Sequence, residues 1–202
     1  MGDAILFDHQ IFYLINREFS NVLFDILLPV IRDKKTWIPL YIGLCIFLIK
    51  SFRKKGLYVI IFLVISIGLG DLISARIFKP SFERARPCHE KSIVKVRAIQ
   101  SWQKTQSICF WIPKNQVCGP GYSFISSHAT NHFALATTLG LLLFSYGKWI
   151  LLIGWLWAFL ISYAQVYIGV HFPSDILIGS LLGVLIGLLL NFIWSKYFNF
   201  DL

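Results

Sequence analysis

His171 and Asp175 stand four residues apart in the stretch Gln165-Val166-Tyr167-Ile168-Gly169-Val170-His171-Phe172-Pro173-Ser174-Asp175, between two long apolar runs. Pro173 suits the first turn of a helix, where its missing N–H is no loss. The imidazole then sits at the mouth of an apolar helix with a carboxylate one turn on. An aspartate can hold one ring nitrogen and fix the tautomer, which leaves the other nitrogen free to attack or to take a proton. An interfacial histidine beside an aspartate that only caps the helix would show the same spacing. Two other segments bear on the choice. In Ser123-Phe124-Ile125-Ser126-Ser127-His128, Ser126 can cap the following helix, so free backbone N–H groups form an anion site beside two serines and a histidine. In Lys79-Pro80-Ser81-Phe82-Glu83-Arg84-Ala85-Arg86-Pro87, Lys79 offers a point charge and Arg86 a planar fork, a pair suited to gripping a phosphoryl group. With both histidines on one face, one can attack while the other protonates the leaving oxygen.

The pair His128 and His132 shares a helix face and invites a metal reading. It lacks the glutamate that zinc proteases place beside the first histidine. His132 is read instead as a hydrogen-bonded core residue, and no metal ligands are assigned.

The elements that must position these groups are apolar helices. The chain has 202 residues, 56% apolar and 14% charged, with the apolar residues in blocks. That excludes an ordinary soluble domain and predicts an all-α integral membrane bundle, a single domain over 1–202. Within an amphipathic N-terminal region of 1–35, residues 4–31 are apolar but interrupted by Asp8, His9, Asn16, Arg17, Glu18, Asn21 and Asp25, so two amphipathic helices broken near Ser20-Asn21 are expected in the interface. About five spans follow: 37–52, 57–78, 128–146, 149–167 and 174–198. Asp71 and Arg76, toward the far end of the second, are expected to face the bundle interior. Glycines 179, 183 and 187 form a small-residue stripe for close helix packing. A polar loop over 79–125 lies between the second and third spans. Every second connection falls on one side, so this loop, His128, His171 and Asp175 converge.

The formal charge of +9 points to an anionic partner. Eight of the 19 Lys and Arg lie in the 79–125 loop rather than on a soluble face. That favours phosphate or phospholipid over nucleic acid. A naive count puts thirteen basic residues on the active side and six opposite, which would place the site in the cytoplasm. Much of that excess sits where an anion site needs it, so an external site is expected instead. The N-terminus has no signal-peptide pattern, and no cleavage is expected. Cys45 lies in an apolar run. At most one pair can close among Cys88, Cys109 and Cys118, and a Cys88–Cys118 bond would clamp the loop carrying Arg86. Such a bond would face an oxidising compartment.

Taken in order, the three segments resemble the type-2 phosphatidic acid phosphatase superfamily, integral-membrane lipid phosphatases related to vanadium haloperoxidases. That family's pattern is Lys-x6-Arg-Pro, then Pro-Ser-Gly-His, then Ser-Arg-x5-His-x3-Asp. Here Lys79 to Arg86-Pro87 is intact, Ile125-Ser126-Ser127-His128 keeps the serine and histidine, and His171 with Asp175 follows Ala164-Gln165. The resemblance implies that His171 forms a phosphohistidine, Asp175 orients it, and His128 is acid and then base. It also implies that Lys79, Arg86, Ser126, Ser127 and the helix-start amides, with Gln165 within reach, cradle the phosphate without metal or cofactor. Gln165 stands where the family has arginine, and an arginine restored there is expected to raise kcat/KM by about ten to thirty fold. The expected substrate is a lipid phosphate or diphosphate in a bacterial inner membrane, undecaprenyl diphosphate foremost. Lipid A, phosphatidylglycerol phosphate and phosphatidate are alternatives within the class. A non-catalytic lipid-binding protein with a degenerate site is the alternative outside it.

Overall fold

The computed structural model describes residues 2–89 and 121–198. Helix α1 (Gly2–Tyr13) runs into a π-helical turn (Leu14–Glu18), and the chain breaks before α2 (Val22–Arg32). The break has a local cause: the Asn21 side chain accepts the Phe24 N–H at 2.9 Å and caps α2. Val22, Leu23, Phe24, Ile26, Leu27 and Val30 of α2 are exposed, as a helix lying in the bilayer interface requires.

Four helical stretches of the described residues are long and apolar enough to cross a membrane: Lys34–Phe52, Lys54–Phe82, Trp149–Ile168 and Pro173–Tyr197. The first is a 3-10 turn (Lys34–Trp37) leading into α3 (Ile38–Phe52). The second joins α4 (Lys54–Asp71), a π-helical stretch (Leu72–Phe78) and the short α5 (Lys79–Phe82). Helix α6 (Ser127–Leu142) stands in the centre, and α7 (Trp149–Ile168) and α8 (Pro173–Tyr197) complete the bundle.

The third expected span, 128–146, is this central α6, which has 16 residues and continues as a separate 3-10 turn at Phe144–Tyr146. Its buried Thr130, Thr137 and Thr138 are tolerable because protein surrounds them. A helix shielded in this way does not need the apolar length that contact with lipid demands.

Asp71 and Arg76 are both exposed and not buried in the expected internal shell, although Asp71 lies within electrostatic reach of Lys79. The reason lies in length. The 29-residue helix Lys54–Phe82 is roughly 43 Å long, against a hydrocarbon core of about 30 Å. Its last turns, Arg76 among them at about 33 Å from Lys54, therefore reach headgroup depth, where a charge needs no buried partner.

Two ties position the site. The glycine stripe lays α8 against α6, so closely that a Cβ at Gly179 would meet the Ser126 carbonyl oxygen at 2.8 Å. The Ser126 N–H donates to the Asp175 carbonyl at 3.1 Å, which locks the starts of the two helices together. A second network fastens the N-terminal helices to α7. Asn16 Nδ2 donates to the Tyr167 carbonyl at 2.8 Å, and the Tyr167 hydroxyl donates to Asp25 Oδ1 at 2.7 Å.

Gly183 offers a direct test of the packing. A Cβ there would come to 2.9 Å from both the Ala134 nitrogen and the Phe133 Cβ. Gly183→Leu is expected to destabilise the bundle by about 1–3 kcal/mol or more, read as a lower thermal midpoint in detergent. Gly43→Ala, where nothing lies within 4 Å, should leave that midpoint unchanged.

Candidate active site

The link between α7 and α8 is four residues long. Helix α7 ends at Gly169, whose φ of 91° is left-handed and whose N–H bonds the Val166 carbonyl at 2.9 Å. That reversal leaves His171 buried, at 3% exposure, directly before α8. Its Nδ1 lies 3.5 Å from Asp175 Oδ2 and 3.4 Å from Ser123 Oγ. A carboxylate only accepts, so the proton belongs on Nδ1 and the lone pair on Nε2. Burial is the main cause that lowers the His171 pKa to about 4, with the Arg86 and Lys79 charges pushing the same way. Asp175 opposes them without prevailing. The ring is therefore a neutral imidazole at ordinary pH.

Asp175 is fully buried and saturated. Oδ2 accepts the Phe172 N–H at 2.8 Å and the Ser123 hydroxyl, and Oδ1 accepts Arg84 at 2.9 Å. Arg84 also donates to Ser174 Oγ at 2.6 Å and to Asp8 Oδ2 at 2.5 Å, and lies 4.0 Å above the Phe172 ring. Asp8 in turn accepts the Ser174 N–H at 2.8 Å. Arg84 is thus a strut joining α1 to the carboxylate, with its guanidinium taken up by protein.

The remaining expected residues gather at the same end. Lys79 and Arg86 are half-buried, and Arg86 Nε donates to the Gly121 carbonyl at 3.2 Å. Burial lowers the Arg86 pKa, and Asp175 partly offsets this. Ser126 caps α6 by accepting the Ala129 N–H at 3.4 Å, and Ser127 Oγ accepts the Ser74 hydroxyl at 2.8 Å. His128, in the first turn of α6, lies within electrostatic reach of Arg32, His171 and Lys79.

Gln165 is fully buried one and a half turns before His171, and its Oε1 accepts Arg32 Nε at 3.1 Å. His132 is the core histidine that the sequence suggests: Nδ1 donates to the His128 carbonyl at 2.7 Å, and Tyr41 O–H faces Nε2 at 3.4 Å. With both nitrogens engaged, it is not placed to share a metal with His128. Cys88 is buried and disulfide-bonded; the expected partner, Cys118, lies outside the described residues.

Sequence reasoning missed Asp8, Ser123, Ser174 and Arg32. Asp8 carried a weak signal, as an acid inside an apolar run. Ser123 and Ser174 carried none, because their partners lie far away along the chain.

This fold and constellation place the chain in a known class. Residues 57–199 match the PAP2 superfamily, and the chain belongs to it as a membrane lipid phosphatase. Among relatives, the lipid A 4'-phosphatase of Porphyromonas gingivalis is 29% identical over 88% of this chain and 68% of its own length. The undecaprenyl-diphosphatase of Sulfolobus acidocaldarius is 30% identical over 88% of this chain and 73% of its own. Among solved structures, a transmembrane PAP2-type phosphatidylglycerolphosphate phosphatase from Bacillus subtilis shares the fold. It covers the whole chain and 90% of its own with a TM-score of 0.74 at 18% identity. Aquifex aeolicus LpxE covers 90% of this chain and 92% of its own, with a TM-score of 0.63 at 26% identity.

Proposed function

We propose that the protein hydrolyses a lipid phosphate through a phosphohistidine on His171. The observation that carries this is the buried His171, with Nδ1 turned to Asp175, Nε2 left with its lone pair, and the Lys79, Arg86 and His128 side chains within electrostatic reach. Nε2 attacks phosphorus, and the bond to the lipid oxygen breaks as His128 supplies that oxygen with a proton. His128 then takes a proton from water. The resulting hydroxide attacks the phosphohistidine, which releases inorganic phosphate and restores the imidazole. Lys79, Arg86, the Ser126 and Ser127 hydroxyls and the α6 start amides face the equatorial oxygens, where charge grows in the transition state. Fixed cations and dipoles supply this stabilisation with no metal.

Lipid A 4'-phosphate is placed first among substrates. Two relatives named for that activity, from Porphyromonas gingivalis and Bacteroides thetaiotaomicron, align over 88% and 85% of the chain. Undecaprenyl diphosphate, the substrate expected from the sequence, is kept second because the Sulfolobus acidocaldarius relative carries that name. The disulfide at Cys88 supports a site on the external face of a bacterial inner membrane, where thiols oxidise.

Phosphate release from a panel of lipid A, undecaprenyl diphosphate, phosphatidylglycerol phosphate and phosphatidate tests the proposal, using detergent-solubilised protein with and without EDTA. Release from at least one lipid, unchanged by EDTA, is expected. His128→Ala should slow that lipid far more than an aryl phosphate, whose leaving group needs no proton. Failure on every lipid, or loss under EDTA with rescue by zinc, overturns the proposal.

A further inference from the structure

We infer that Arg32, supplied from the interfacial helix α2 and oriented by Gln165, binds the phosphate undergoing transfer. This rests on the phosphatase reading above and adds a cation from outside the three motifs. Arg32 Nε donates to Gln165 Oε1 at 3.1 Å. Because the guanidinium only donates, the amide oxygen must face it, and the amide NH2 must face the other way. Gln165 is fully buried, yet its Nε2 meets no protein acceptor among the described residues. Of the unpartnered buried polar atoms among the described residues, this NH2 is the one whose amide also holds a guanidinium, and that placement leaves it to donate to a ligand.

The surroundings identify that acceptor as an anion. Arg32 lies within electrostatic reach of Arg86, and His128 senses both Arg32 and Lys79. Three cations thus approach one histidine pair. Acids offset part of this charge without pairing with Arg32: Asp175 is saturated by Arg84, Ser123 and Phe172, Asp33 Oδ1 accepts the Lys35 N–H at 3.0 Å, and Asp71 acts on Lys79. A cation in the last turn of any helix gains from the dipole, and that alone would explain a basic residue at 32. It does not explain the direction of the side chain. Lys34 and Lys35 are exposed, whereas Arg32 turns inward onto a buried amide. The fork of Arg32 then leaves its terminal nitrogens for two oxygens of one phosphoryl group, with Gln165 Nε2 donating beside them.

This reverses the expectation for position 165. An arginine there would add a fourth cation and remove the acceptor that holds the third. Gln165→Arg alone should therefore not raise kcat/KM. The test uses full-length protein and two readouts, phosphate release and inhibition or binding by orthovanadate, a phosphate mimic. Arg32→Gln is expected to lower kcat/KM and weaken vanadate affinity by about 100-fold each, with the thermal midpoint unchanged. The swap Arg32→Gln/Gln165→Arg should recover to within about tenfold of the native protein, since the charge returns from the α7 side. If Arg32→Gln fails to fold, Arg32→Lys keeps a charge without the fork and should still lose at least tenfold in vanadate affinity. A folded variant at Arg32 with native turnover and native vanadate affinity overturns the inference. If the native protein releases phosphate from no lipid, the phosphatase reading fails, while vanadate binding still decides the role of Arg32.

Discussion

Replacing His171 with alanine is expected to abolish phosphate release, lowering turnover by on the order of 10⁴-fold or more, as loss of a covalent nucleophile does. The protein should still fold, because among the described residues the side-chain partners of His171 are Asp175 and Ser123. Steady-state release together with acid-quenched trapping of phosphoprotein checks the point: native protein should show phosphohistidine and the variant none. The pH dependence provides a second signature. With a pKa of about 4 in the fold against 6.5 free, His171 stays unprotonated throughout the neutral range. The loss of kcat/KM that comes from protonating His171 should therefore set in only near pH 4, whatever dependence His128 adds as the proton donor. Stability carries the same group with a defined sign. Between 6.5 and 4 the unfolded chain binds a proton that the folded chain refuses, so stability falls as pH is lowered through that window. Above 6.5 the contribution vanishes, and His171→Ala should remove this slope. Full activity in His171→Ala would end the phosphohistidine proposal.

Much of this site was legible because its chemistry is written locally. Lys79 and Arg86 flank a proline-punctuated helix end, Ser126 precedes an apolar run, and His171 with Asp175 spans one helical turn. Each can be read from spacing and flanking hydropathy. The break at Ser20-Asn21 and the glycine stripe on α8 were equally readable, since a cap and a four-residue period are local patterns. What escaped was decided across the chain. Arg84 and Asp8 are 76 residues apart, and Arg32 and Gln165 are 133 apart. Nothing in either neighbourhood announces the partner. Arg32 was hidden further by company, because Arg32-Asp33-Lys34-Lys35 reads as a solvated charge cluster closing an amphipathic helix. Arg76 failed in the opposite sense. A charge within an apolar run suggests an interior shell only if the helix ends where the run does, and this helix extends beyond it.

The supporting network matters to the chemistry because Asp175 is shared. Its carboxylate holds the histidine, caps α8 through the Phe172 N–H and receives the Arg84 strut that Asp8 anchors to α1. One buried group therefore sets the tautomer of His171 and the docking of the N-terminal helix. The opening alternative, an aspartate that merely caps a helix beside an interfacial histidine, accounts for the Phe172 bond alone. It does not account for Ser123 and Arg84 converging on the same two oxygens.

Asp175→Asn separates the two readings. The amide has one acceptor oxygen, while the native carboxylate serves four donors on two oxygens. If the amide oxygen faces Phe172, Ser123 and His171, its NH2 points at the Arg84 guanidinium, donor against donor. If it turns over, the NH2 faces His171 Nδ1, which must then accept. The ring proton moves to Nε2, and the attacking lone pair is gone. The first outcome keeps the tautomer but loses the negative charge and the Arg84 strut, and the second removes the lone pair. The kcat should therefore fall on the order of 10³ to 10⁴-fold, the scale at which a buried carboxylate supports a catalytic imidazole. KM and vanadate affinity should change far less, because the cations remain in place. Ser123→Ala provides the graded control: it removes one donor but keeps the carboxylate, and about tenfold is expected. Turnover and vanadate inhibition measured on all three proteins check the sequence of effects. A folded Asp175→Asn protein with kcat within tenfold of native would reduce Asp175 to a cap and a strut, and His171 would then need no partner to attack.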